Sequence, residues 1–268
     1  MLAGSVYGER IGARDDLEAA ERGVADTLLW HLRILAGWLP AAGAPLVRAL
    51  AARFELSNID ARLAALAGDG REPAPFVLGG LATAWPRIEQ ARTVEEMREL
   101  LASSAWGEQP GSTPAELAIG LRVSWARRVQ ETAPEATDWV AGAGALLAAR
   151  ELFVECSRAS VAQLRGLPGI GEGALSARSL AELTAMLPAH ASWALVRAAD
   201  PGELWRAELE WWRRVARDAG AMARSQEARA AVLAAVVLLA VDAQQAVRAL
   251  AAADGVGSEL VELVVGAV

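Results

Sequence analysis

The sequence predicts an all-helical protein, and three observations carry that prediction. The strong helix formers Ala, Leu, Arg and Glu dominate a chain of 268 residues that is 54% apolar, with few β-branched or aromatic residues other than Trp. Apolar and polar residues nowhere alternate as a half-buried strand requires, and no Asn-Gly hairpin turn occurs. Finally, Pro45–Gly70, PLVRALAARFELSNIDARLAALAGDG, reads as one long helix, with Pro45 in its first turn and Gly68 and Gly70 as its stop.

The chain is organised around that helix. At about 100° per residue, Leu46, Leu50 and Phe54 share one face. Leu56, Ile59, Leu63 and Leu66 share the other. An apolar face that switches sides midway indicates a helix packed from both sides. Between the two patches runs a polar file of Glu55, Asn58 and Arg62. The reading is an interior pillar with a single polar seam.

Two weaker echoes follow. Leu146–Arg158, LLAARELFVECSR, places Glu151 where Asn58 sits and Glu155 where Arg62 sits. Ala240–Gly257 places Asp242 at the Glu55 position and Gln245 at the Asn58 position. There the Arg62 position holds Ala249, with Arg248 beside it.

Taken in order, Asp15–Trp38 is a helix capped by Asp15 or Asp16 and ended by Leu39-Pro40. After the first pillar, Asp69–Gly80 is a loop with Pro73, Pro75 and the pair Gly79-Gly80. Leu81–Gln90 and Thr93–Ser103 are two short helices, the second opened by the capping box Thr93/Glu96. Trp106–Ser112 is a turn. Thr113–Val129 is a helix with Thr113 as cap and Pro114 at its first position.

Pro134 breaks the chain before a second pillar, Glu135–Arg158. Leu164–Gly173 is a turn, Ser176–Met186 a short helix stopped by Leu187-Pro188, and Ala191–Ala199 a further short segment. Then the earlier order returns: DPGEL at Asp200 matches TPAEL at Thr113, and EWWRRV matches SWARRV. This is an internal duplication. Ser225–Ala252 and a short helix at Ser258–Val265 close the chain. The expectation is one all-α domain over 1–268, built from three pseudo-repeats of about 1–71, 72–160 and 161–268.

Composition restricts function. All 26 basic residues are Arg, so a phosphate-loop Lys and Schiff-base chemistry are excluded. A net charge of -7 argues against nucleic acid and anionic lipid as main partners. The single cysteine, Cys156, rules out an internal disulfide framework and reads as a packed core thiol. The first residues are polar and Gly-rich, unlike a signal peptide. The longest apolar run, Ala230–Val241, falls short of the roughly 20 residues a membrane span needs, so it reads as a buried core helix.

His31 and His190 are not at ligand spacing to any Cys or carboxylate cluster, so no catalytic, cofactor or metal residue is assigned. Paired carboxylates such as Glu95-Glu96 fall on exposed helix faces. GLPGIGEG at Gly166–Gly173 lacks the strand and third Gly of a dinucleotide site; it is similar to a helix-hairpin-helix phosphate turn, with Glu172 in the way. Its place in the duplication, opposite Val77–Ala82, makes it a helix-to-helix turn. Trp125 and Trp211 occupy matched positions and are core candidates. The doublet Trp211-Trp212 leaves one ring as an interface anchor.

RFELSNIDARLAAL, followed by PFVLGGL and a pair of short helices, resembles the C-type (or d-type) central-rotor family of V-type and A-type rotary ATPases. The matching residues are Glu55, Asn58 and Ile59 on the long helix and the Gly79-Gly80 turn. The acidic, Arg-containing VDAQQAVRAL, with Asp242, Gln245 and Arg248, is the later copy of that helix. The middle copy departs from the family by having Glu151 where the Asn belongs.

The resemblance implies a non-catalytic, funnel-shaped bundle without a cofactor, peripheral to the cytoplasmic face of a membrane. Its partners would be the central stalk and the proteolipid ring, and its task to pass torque between them during proton or other ion transport. The alternatives are a helix-hairpin-helix DNA-binding protein and a generic helical scaffold.

Overall fold

The computed structural model describes residues 5–12, 15–40, 43–68, 72–156 and 160–253, and the backbone alone at Ser160 and Glu172. Every regular element among them is helical. The expected short helix at Ser258–Val265, the Gly70 stop and the Gly257 turn lie outside the described residues.

Helix α1 spans Leu17–Trp38. Asp16 caps it by accepting the Ala19 N–H at 2.8 Å, and Leu39 leaves it in extended conformation before Pro40. Helix α2, Ala44–Ala67, is the first pillar, and Gly68 stops it at φ +88°, a conformation that suits glycine. Both of its faces are buried as expected: Leu46 and Phe54 on one, Leu56, Ile59 and Leu63 on the other.

The first expected short helix is smaller than its sequence suggested. A 3-10 turn at Gly79–Leu81 and a single turn, α3 (Trp85–Ile88), replace it. Helix α4, Val94–Ala102, and helix α5, Pro114–Thr132, begin at the expected caps Thr93 and Thr113. Helix α6, Thr137–Phe153, is the second pillar, and it starts only after a 3-10 turn at Pro134–Ala136.

Helices α7 (Ser160–Leu164), α8 (Leu180–Met186, capped by Ser179) and α9 (Ala189–Ser192) are short. Helix α10 runs Leu204–Met222 and helix α11 runs Ala228–Ala253.

The described residues form two compact units. The first gathers 5–51, Leu78–Leu81 and 215–253, and its main packing is α1 against α11. Gly23 on α1 lets the N-terminal segment lie close, since a Cβ there would sit 2.6 Å from the Arg10 carbonyl oxygen. Val24, Leu28, Leu29 and Leu32 of α1 and Leu233, Ala234 and Val237 of α11 are buried.

Among the described residues α11 is the one helix long and apolar enough to cross a membrane, with a mean hydropathy of 1.9 over its most apolar stretch. The sequence predicted a buried core helix; the structure buries Leu233, Val236 and Val237 and leaves Leu238 and Leu239 half-buried.

The second unit comprises 52–77 and 82–214. Its core joins Ile119 and Val123 of α5, Ala141, Ala145, Ala148 and Ala149 of α6, and Leu164, Leu167, Ile170, Leu180, Leu183 and Leu195 from the segments after it.

The sequence elements that match also share individual hydrogen bonds. Thr93 accepts the Glu96 N–H at 3.1 Å while Glu96 takes the Arg92 N–H at 2.8 Å. Ser179 accepts the Glu182 N–H at 3.2 Å while Glu182 takes the Arg178 N–H at 2.8 Å. Glu116 accepts the Ser112 N–H at 3.0 Å, and Glu203 accepts the Ala199 N–H at 3.0 Å. The Arg128 guanidinium lies 4.4 Å from the centre of the Trp106 ring, and Arg214 lies 4.1 Å from that of Trp193.

Two single-residue expectations change. Cys156 is exposed, at φ +50°, because α6 ends at Phe153 and carries no helix through it. Trp211 and Trp212 are both buried at 8% exposure, edge to face with centroids 5.0 Å apart, so neither ring of the doublet is left outside. The Trp211 indole N–H donates to the Trp139 carbonyl at 2.9 Å, while its counterpart Trp125 is only half-buried.

Candidate functional site: the seam of the first pillar

In the polar file on α2, Glu55 and Asn58 are buried and Arg62 is half-buried, and all three hydrogen-bond to backbone. Glu55 is 0% exposed. Its carboxylate accepts the N–H groups of Thr83 at 2.8 Å, Ala84 at 2.5 Å and Trp85 at 2.5 Å. These are donors at the start of α3, which has no side-chain cap from its own Ala84. A buried carboxylate from another helix therefore does the capping.

Asn58, 3% exposed, exchanges two hydrogen bonds with the Phe76 backbone, accepting its N–H at 2.7 Å and donating to its carbonyl at 3.0 Å. Arg62 donates to the Ala91 carbonyl at 2.6 Å and pairs with Glu72 at 2.7 Å. One helix face thus grips the following chain at Phe76, at Thr83–Trp85 and at Ala91.

Arg128 of α5 completes the surroundings, donating to the Ala105 carbonyl and reaching the Thr83 hydroxyl at 3.5 Å. Burial pushes its guanidinium below its ordinary value, and the nearby Glu55 charge opposes that shift. Farther along α2, Asp60 pairs with Arg122 at 2.7 Å. Burial raises its carboxyl above the usual range, against the attraction of that arginine.

The other predicted residues are not gathered here. Ile59 is in the core at 0% exposure. Gly79, at φ +56°, and Gly80 form the 3-10 turn, where the Gly80 carbonyl accepts from Arg48. Glu151 is buried near the end of α6, away from the position equivalent to Asn58. Extending the register of the matched caps back along α6 sets Ala141 opposite Glu55 and Gly144 opposite Asn58. One contact agrees: a Cβ on Gly169, opposite Thr83 in that register, would meet that of Ala141 at 2.8 Å; Gly144 instead faces Ile170 at 3.5 Å.

On α11, Asp242 is exposed and accepts the hydroxyl of Tyr7 at 2.7 Å. Burial and this bond raise the Tyr7 phenol well above its usual value. Gln245 is exposed, Arg248 is half-buried, and the buried amide is that of Gln244, one residue earlier.

Sequence reasoning missed the two Trp–Arg stacks. Their signal was present, as each of the two matched copies has a Trp before its capped helix and an Arg-Arg-Val within it.

Apart from the Arg62–Glu72 pair, the seam's hydrogen bonds are directed at backbone of the same chain. Among the described residues no group of three or more His, Cys, Asp or Glu could hold a metal ion. His31 Nδ1 lies 2.9 Å from the Thr27 carbonyl of its own helix.

The GLPGIGEG segment forms a tight turn with Gly169 at φ +76°, its Leu167 and Ile170 buried in the second unit's core. A 3-10 turn at Glu172–Ser176 follows it, where a helix-hairpin-helix would have its second helix.

No protein-family model matches the chain, and no curated protein matches it.

Proposed function

We propose that this chain is a non-catalytic coupling component of a V-type or A-type rotary ATPase, a relative of the C-type (or d-type) central-rotor family. It would sit between the central stalk and the proteolipid ring, peripheral to the membrane, and transmit torque during ion transport. In this reading the duplicated elements belong to a funnel of three pseudo-repeated bundles.

The observation that carries the reading is the seam. The residues on which the resemblance rests, Glu55 and Asn58, are devoted to fixing one stretch of backbone to one helix. A part that conveys torque must resist deformation, and buried charge-assisted hydrogen bonds within a close-packed helical core provide resistance. The duplicated caps and Trp–Arg stacks add to it. No observation favours the DNA-binding alternative, since the turn that suggested it is anchored in a hydrophobic core.

The test is co-purification. An affinity-tagged copy is expressed at native level, membranes are solubilised in mild detergent, and the retained proteins are identified by mass spectrometry. The reading expects ring proteolipid and ATPase head proteins in stoichiometric amounts. A purified intact complex that lacks this chain would overturn it.

A further inference from the structure

The N-terminal segment 5–12 has no role in the reading above. It forms turns rather than helix. Its backbone bonds close those turns, from the Gly8 N–H to the Ser5 carbonyl at 3.0 Å and from the Arg10 N–H to the Tyr7 carbonyl at 3.1 Å. It also touches both long helices of the first unit. On α1 it lies over Gly23, where a Cβ would come within 2.6 Å of the Arg10 carbonyl oxygen. On α11 the Tyr7 hydroxyl donates to Asp242 at 2.7 Å. Tyr7, the one tyrosine of the chain, is 5% exposed, whereas Ser5, Val6, Glu9 and Arg10 around it are exposed.

The segment thus holds α11 through a buried ring and one donated proton. A neutral phenol is a donor. A phenolate has nothing to donate and would face the Asp242 carboxylate as a like charge. On α1 the segment meets Gly23, which carries no charge to offset that repulsion, and its own Glu9 and Arg10 are exposed. The helix pair has its own buried contacts, among them Val24, Leu28 and Leu32 of α1 and Leu233 and Val237 of α11. We propose that residues 5–12 are a strap latched by the Tyr7 proton: it lies closed while the phenol donates to Asp242, and lifts with both helices still folded when that proton is lost.

Asp242 also lines a hollow of about 540 Å³ between α1 and α11, so lifting the strap frees its carboxylate there. Burial and the carboxylate both keep the proton on Tyr7 above the ordinary phenol range. A lifted segment would lose that proton near its ordinary value, so closure is held in full below about pH 10 and is lost as pH rises beyond it. This inference does not rest on the rotary-ATPase reading and concerns a different surface from the seam.

The test uses the full chain in a Cys156→Ser background, spin-labelled at the exposed positions Glu9→Cys and Gln245→Cys. Pulsed electron paramagnetic resonance reads the distance from strap to α11. Near-ultraviolet absorbance reads ionisation of the single tyrosine, and circular dichroism reads the helices. No lysine is present to titrate alongside it, and Tyr7→Phe reports what the other groups contribute. The parent gives one narrow distance at neutral pH. As Tyr7 ionises, that distance lengthens and broadens while the helical signal is unchanged.

Tyr7→Phe raises the lifted population at neutral pH by about tenfold or more. Asp242→Asn keeps an acceptor for the hydroxyl but removes the charge, so its strap is closed at neutral pH and Tyr7 ionises nearer its ordinary range. Ionisation of Tyr7 with no change in distance overturns the proposal. So does ionisation that coincides with loss of helix, which would make the segment part of the core. A strap as closed in Tyr7→Phe as in the parent overturns it too. The parent titration leaves Tyr7 and Asp242 in place, so it decides even where their variants fail to fold.

Discussion

The first and second pillars solve the same problem with opposite chemistry. Each is a long helix against which the next turn of chain must be held. On α2 the grip is polar: Glu55 reaches out and bridges to the amides of Thr83, Ala84 and Trp85. On α6 the equivalent grip is contact: Ala141 and Gly144 are so small that the Gly169 turn lies directly on the helix, too close at Gly169 for any added Cβ. Where the helix carries a long acid, the turn stands off and supplies donors. Where it carries small residues, the turn closes in and supplies leucine and isoleucine. A duplicated architecture can thus keep its caps and stacks while exchanging a buried charge for close packing.

The comparison breaks most visibly at Glu55. Glu55→Ala leaves three N–H groups, two of them buried, without an acceptor and is expected to lower stability by about 3–5 kcal/mol, read from urea unfolding followed by Trp fluorescence. A loss below about 1 kcal/mol would mean that the carboxylate is dispensable. Next is the matching point on the other side. Gly169→Ala forces a side chain into positive φ and against Ala141 and His190, at a cost of about 2–4 kcal/mol. If it is neutral, the turn does not rest on α6 as closely as described.

Asn58→Ala should cost about 2–3 kcal/mol in the same assay, because the Phe76 N–H and carbonyl lose their hydrogen bonds to Asn58. Asn58→Asp distinguishes the two bonds: it keeps the acceptor for the N–H and loses the donor to the carbonyl. The smallest effect sharpens the contrast from the packing side. Gly144 has ordinary contact room for a Cβ, so Gly144→Ala is expected to stabilise by up to about 1 kcal/mol through helix propensity alone. A fall in melting temperature for this variant would place α6 closer to Leu167 and Ile170 than the structure does.

Much of this was legible in the sequence. Caps announce themselves locally, so Asp16, Thr93 and Thr113 opened helices where their spacing predicted, while the helix expected from Ser176 starts only after its cap Ser179. The seam was legible because three polar residues at helical spacing on a two-faced apolar helix have to be buried, and a buried acid must find donors. Its partners were not legible, since Thr83–Trp85 offer only backbone and no side-chain pattern marks them.

The second pillar was misregistered for the same reason. Glu151 drew attention as a polar residue, whereas the register of the matched caps puts Gly144 opposite Asn58, and Gly144 carries no polar signal at all. Cys156 shows a further limit. Its neighbours read as helix, yet the helix stops before it, and helix ends are where sequence patterns discriminate least.

Amide hydrogen exchange at Thr83, Ala84 and Trp85 tests the central claim most directly, compared between the parent chain and Glu55→Ala with residues 169–177 as the internal control. The account predicts strong protection of all three amides in the parent. In the variant that protection falls by about a hundredfold or more, while the control segment is unchanged. Fast exchange at these amides in the parent, or protection that survives removal of the carboxylate, would contradict it.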